Sequence, residues 1–184
     1  MKKRIVMAMI LGVSLSVGAA FAQHPGGLGI GVVAQYGGSW DDWGPSRFSG
    51  LAVSLKLPSI PIFWGINLDF FQSDWFGISA TGDKYIFDNP LVQAINLGWY
   101  LGLGGYGSVG FSTGSADNLR IGAGVRAPVG LTWNYKQKVE VFLDIAPSIG
   151  IRLGIGDDYG EKPKESPLGL DGGLAGDFGV RLWL

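Results

Sequence analysis

Cysteine is missing from all 184 residues. That excludes a disulfide framework, Cys-ligated zinc and a thiol nucleophile, along with the cysteine-anchored N-terminus of bacterial lipoproteins. Histidine is nearly missing, with His24 standing alone. Charge is scarce at 16% of residues, where soluble domains carry roughly 25%. Neither sign dominates, since 14 basic residues face 15 acidic ones, and nothing marks the chain for a nucleic-acid partner. In excess is glycine, 32 residues, about twice the ordinary share of roughly 7%. It follows no G-X-Y period, and 47% hydrophobic residues are too many for disorder.

Residues 1–22 have the layout of a secretory signal peptide. Lys2, Lys3 and Arg4 precede an apolar core from Ile5 to Val17, and Ala20 and Ala22 form an A-x-A site ahead of Gln23. The apolar stretch, about 13 to 18 residues, is short for a membrane span of about 20. Cleavage after Ala22 is expected, leaving 23–184 as one domain. Removing three positive charges leaves 14 − 3 = 11 basic residues against 15 acidic. No later stretch approaches 18 uninterrupted apolar residues, so no transmembrane helix is expected there.

Beyond the leader, apolar residues recur at every second position, the period of a strand. Leu28, Ile30, Val32, Ala34 and Tyr36 share one face of a first strand; Leu51, Val53, Leu55 and Leu57 share that of a second. Ile62, Trp64, Ile66, Leu68 and Phe70 follow, with continuation toward Trp75 expected. Residues 84–94 are a weak fourth strand, with Tyr85, Phe87 and Val92 interrupted by Asn89-Pro90. Leu97, Trp99, Leu101 and Leu103 begin a fifth, and Leu119 to Trp133 is the longest alternating run. Val139, Val141, Leu143 and Ile145 resume at Ile149, and Phe178, Val180, Leu182 and Leu184 close the chain. Pro128 and Pro147 fall inside strands, where local bulges are expected. Short connections at 58–61, 94–96 and 134–137 alternate with longer ones at 37–47, 72–83, 112–118 and 154–169. Short turns at one end and long loops at the other are the plan of an all-β, eight-stranded antiparallel up-and-down transmembrane β-barrel.

The class depends on which face is outside. An apolar face turned outward means lipid; turned inward it means a soluble calyx of the lipocalin kind. The opposite face is mostly Gly, with Ala, Ser, Thr and too few charges for a soluble exterior. As an interior it gives glycines that relieve crowding in a narrow barrel. The interior charges are then Lys56, Arg120, Arg126, Arg152 and Arg181 against Asp69, Glu140, Asp144 and Asp177, which pair to offset desolvation. Turned toward lipid, each Arg or Lys at mid-depth would cost about 2–4 kcal/mol. Trp64, Trp99 and Trp133 near the short-turn end, and Tyr36, Phe70 and Phe111 near the long-loop end, are expected as membrane-interface aromatics.

Leu101-Gly102-Leu103-Gly104-Gly105-Tyr106-Gly107, Arg126-Ala127-Pro128-Val129-Gly130-Leu131-Thr132-Trp133, Val139 to Pro147 and the terminal Gly179 to Leu184 resemble the small outer-membrane β-barrels. These are the group of OmpX, OmpW and the OmpA transmembrane domain, and more closely a family of uncharacterised spirochaetal-type barrels. The resemblance covers the mature chain in outline and assigns no catalytic residue. It implies an outer-membrane location, with the lipid bilayer and the outer-membrane assembly machinery as partners. Such barrels usually end in phenylalanine, whereas this chain ends in Trp183-Leu184.

Enzyme chemistry finds little material. His24 would be the second mature residue, where order is not expected, and without a placed histidine no Ser-His-Asp arrangement can be built. Gly102 to Gly107 matches G-x-G-x-x-G, but no helix follows, so dinucleotide binding lacks its context. Glu140 and Asp144, some 13 Å apart on one strand face, are expected as partners of interior arginines rather than as a catalytic pair. Asp157, Asp158, Glu161 and Glu165 read as a solvated acidic loop without a calcium-site spacing. Trp40 and Trp43 are candidates for a loop contact. The expected function is non-enzymatic, needing no cofactor or metal: an outer-membrane barrel with a salt-bridged interior, acting in envelope structure or surface interaction. A narrow solute pore and a soluble secreted binding barrel are the alternatives.

Overall fold

In the computed structural model, residues 24–39, 49–70, 75–112, 118–156 and 168–184 are described. The leader 1–22, Trp40, Trp43 and the acidic positions 157, 158, 161 and 165 lie outside them. The described chain is almost wholly antiparallel sheet. Its strands are β1 (Gly29–Ser39), β2 (Gly50–Lys56), β3 (Phe63–Asp69), β4 (Trp75–Val92), β5 (Leu97–Ser112), β6 (Leu119–Arg126), β7 (Val129–Tyr135), β8 (Val139–Ile155) and β9 (Leu168–Trp183). Consecutive strands pair in order except β6 with β7, and β9 returns to pair with β1 along Gly29↔Trp183 to Ser39↔Gly173. Leu28 and Leu184 exchange backbone hydrogen bonds beside that seam.

β6 and β7 act as one strand. Both pair with β5 and with β8, and the register runs unbroken across Ala127-Pro128, from Gly104↔Arg126 to Leu101↔Val129 and from Arg126↔Ser148 to Val129↔Ile145. Counted this way, eight hydrogen-bonded strands close a ring. The bulges expected at Pro128 and Pro147 are not there. In that shared register the prolines sit one rung apart on neighbouring strands, so their missing N–H groups interrupt the ladder locally without shifting it. The carbonyls stay in use: Gly102 N–H donates to Pro128 and Ala127 N–H to Pro147. The register shifts instead between β4 and β5, at Tyr85/Phe87 and at Pro90/Val92.

Two other boundaries differ from the sequence reading. Residues 75–83, assigned to the loop 72–83, are strand, and the weak segment 84–94 is only the end of β4. β3 accordingly stops at Asp69, and Trp75 opens the next strand. The alternation was present in Phe76, Ile78 and Ala80 against Gly77, Ser79 and Thr81, but small polar residues imitate a loop. β9 likewise starts at Leu168 rather than near Asp177. A 3₁₀ turn, Gln93–Ile95, joins β4 to β5, with Asn96 in the left-handed region at φ 55°.

The apolar parity faces outward. Val125 is 54% exposed, Leu143 57% and Ile149 61%. The opposite parity is buried and carries the charge. Among the described strand residues, Lys84 is the one side chain both charged and exposed.

Candidate functional site

The ring's interior is the candidate site, and its lower half, toward the short turns, is built around Glu140. Glu140 lies on β8 opposite Arg181 of β9, a register that brings carboxylate and guanidinium together across the rung. Arg181 Nη1 stands 2.7 Å from Glu140 Oε2. The same oxygen accepts from Trp183 Nε1 at 2.9 Å, while Thr132 Oγ1 donates to Oε1 at 3.0 Å. Arg181 also donates to Ser54 Oγ from Nε and Nη2. Its guanidinium lies 4.7 Å from the ring centroids of both Phe63 and Phe142, a cation–π sandwich. Neither ion has water access, so these neighbours supply what hydration would have given.

His24 enters this cluster from below and corrects the expectation that it lacks order. Its Nδ1 is 2.9 Å from Asp88 and its Nε2 is 2.9 Å from Glu140. Its backbone N–H donates to Asp88 Oδ2 at 3.2 Å. The imidazole is packed among Phe63, Tyr85 and Tyr100, with Trp183 slightly farther. Tyr85 stacks between Phe63 and Tyr100 at 4.0 and 4.3 Å. Burial disfavours the charged imidazole, but the Glu140 and Asp88 carboxylates outweigh it and hold the pKa above its ordinary 6.5. With a carboxylate beside each nitrogen, the site favours a protonated imidazole, a latch between Asp88 and Glu140.

Arg126 occupies mid-height. Its Nη2 donates to Asp177 at 2.9 Å, and its Nε is 3.5 Å from Asp83. Asp144 is buried as expected, but its close partner is the Tyr100 hydroxyl, donating at 2.5 Å, rather than an arginine. Higher up, Asp69 is half-buried and accepts from Asn67, Ser79 and the Ser49 backbone N–H. Tyr106 donates to Asp171 at 3.0 Å. Arg152 is buried and Arg120 half-buried. Lys56 is buried near the lower rim, its Nζ donating to the Leu57 carbonyl.

The sequence reading missed His24, Asp83, Asp88 and Asp171 as interior ions. Asp83 and Asp171 continue the polar parity of strands whose beginnings were assigned to loops. Asp88 lies beyond a register shift that no alternation could foretell. The expected interface aromatics all point away from this interior. Tyr36, Trp64, Phe70, Phe111 and Trp133 are exposed and Trp99 is half-exposed. Among the described residues, no three His, Cys, Asp or Glu are grouped to hold a metal ion.

Comparison with the curated proteins and with solved structures gives no match. Residues 50–160, from β2 through β8, match the family described as "Protein of unknown function (DUF3996)", and the chain belongs to that family.

Proposed function

We propose that this protein is a non-enzymatic integral outer-membrane β-barrel, with an interior filled by ion pairs and aromatic rings. Its role is in envelope structure or in surface interaction through its loops. One observation carries the reading: on the described strands every exposed side chain but Lys84 is uncharged, while arginines and carboxylates go inside. Water would favour the reverse, since a large contiguous apolar exterior on a soluble barrel is an aggregation liability. Hydrocarbon favours this arrangement, and the closed ring leaves no strand edge for lipid to meet. Outward aromatics lie in two zones, Trp64, Trp99 and Trp133 toward the short turns and Tyr36, Phe76 and Phe111 toward the other end, as interfacial girdles would. The basic, apolar and A-x-A layout of residues 1–22 supports export, and the likeness to OmpX-type barrels supports insertion by the outer-membrane assembly machinery.

The interior box of His24, Phe63, Tyr85, Tyr100 and Trp183 weighs against the narrow pore. Refolded protein in planar bilayers is expected to be silent. The deciding experiment is refolding of residues 23–184 into detergent or liposomes. Heat-modifiable gel migration with β-rich dichroism is the expected result. Stable monomer in buffer without detergent would overturn the proposal in favour of a soluble barrel. Because the chain has no cysteine, single-cysteine probes at Leu143 and Ile149 report lipid contact without background, and quenching by nitroxide lipids is expected at both.

A further inference from the structure

At mid-height the interior holds three carboxylates against one guanidinium. Gln35 of β1 is in register with Asp177 of β9, and Asp177 with Asp144 of β8. Two aspartates are thus directly opposed on adjacent strands, a pairing that is destabilising unless positive charge lies between them. Asp83 reaches the same space from β4, facing Arg126 across Gly104. Arg126 is held between Asp177 and Asp83, and Arg181 is committed to Glu140. With all three carboxylates ionised, negative charge would exceed what Arg126 supplies around a cavity of about 40 Å³, whose lining includes Gln35, Asp83, Arg126, Asp144, Asp177 and Arg181 beside apolar side chains. That volume is above the threshold for admitting water or a small ion.

A second feature, independent of the acids, points to a ligand. Gln35 is 6% exposed and lines this cavity, and its side-chain carbonyl oxygen has no hydrogen-bond partner among the described residues. One carboxylate oxygen of Asp144 and one of Asp177 are likewise unpartnered. Buried acceptors of this kind are costly unless a donor or a cation meets them.

We infer that the cavity between Gln35, Asp144 and Asp177 is a binding site for a small monovalent cation, such as sodium or potassium, held by these oxygens together with water. All available donors are hard oxygens, which suit such ions. Among the described residues the carboxylates form no group of three that could hold an ion by themselves, so the Gln35 oxygen and water must complete the set; divalent calcium needs six to eight oxygen ligands. The site is inside the ring, so the inference stands whether the exterior meets lipid or water.

The test is the thermal midpoint of the refolded chain at pH 7.5 and constant ionic strength, with sodium or potassium exchanged against N-methylglucamine, which is too large to enter. A cation that binds only the folded state raises the midpoint with the logarithm of its concentration. About 3–5 °C per tenfold is expected above half-saturation for a chain this size. Asp144→Asn is expected to abolish that dependence, and Gln35→Met to raise the half-effect concentration about tenfold. If Asp144→Asn fails to fold, Gln35→Met decides alone. Equal midpoints in all three salts would show that protons offset the charge and would overturn the inference. So would an unchanged sodium dependence in either variant, or a dependence on calcium alone.

Discussion

Glu140 shows how one residue can be made tolerable in a place its chemistry resists. It is fully buried and touches an arginine, a histidine, a tryptophan N–H and a threonine hydroxyl. Taking away one ion of such a set leaves the other charge stranded. Arg181→Met is therefore expected to destabilise the fold by about 3–5 kcal/mol, read as a lower urea midpoint. His24 gives a pH dependence of definite sign. Its pKa is raised in the folded state by Asp88 and Glu140, Arg181 lying behind Glu140. Its contribution is then fully present below the ordinary value of 6.5 and is lost as pH rises through the raised one. Comparing thermal midpoints of the native chain and His24→Gln from pH 6 to 9 should show a margin that shrinks with pH. A margin that grows with pH would contradict the latch.

At the scale of the strand, the abundant glycines answer large interior side chains on neighbouring strands. A methyl group on Gly130 would lie 2.5 Å from Asp144 Cβ, 2.6 Å from the Leu143 carbonyl oxygen and 2.8 Å from the Tyr100 ring. Backbone and ring cannot both retreat, so Gly130→Ala is expected to cost about 1–3 kcal/mol by overpacking. Gly107 has nothing within 4 Å of the same position, and Gly107→Ala is expected to stay within about 0.5 kcal/mol. Chemical denaturation of the pair separates crowding from a general effect of glycine loss. The period of two identified the core stretch of every strand but β4, of which it found only the end, since it needs only local sequence. Strand ends were less legible. Residues 75–83 and 168–176 are rich in Gly, Ser, Thr and Asp because they face a crowded polar interior, and the same residues make loops.

For the whole molecule the decisive quantity is the cost of charge on the exterior. Leu143→Arg puts a guanidinium on the outer face near mid-strand, where a bilayer would exact about 2–4 kcal/mol. Folding into liposomes is expected to suffer by that amount. An exterior in water would register within about 0.5 kcal/mol, so the same variant discriminates the two settings.

Sequence alone determined the sheet class, the outward apolar parity and most of the interior ions, because alternation is a local property and charges seldom sit on a greasy face. Only the tertiary structure decided how those ions group. Which strand meets which, and in what register, brought Glu140 to Arg181, Asp177 to Asp144, and the N-terminal His24 into an aromatic box closed by β3, β4, β5 and β9. These partners lie dozens of residues apart, and ring closure, not any local pattern, brings them within contact distance.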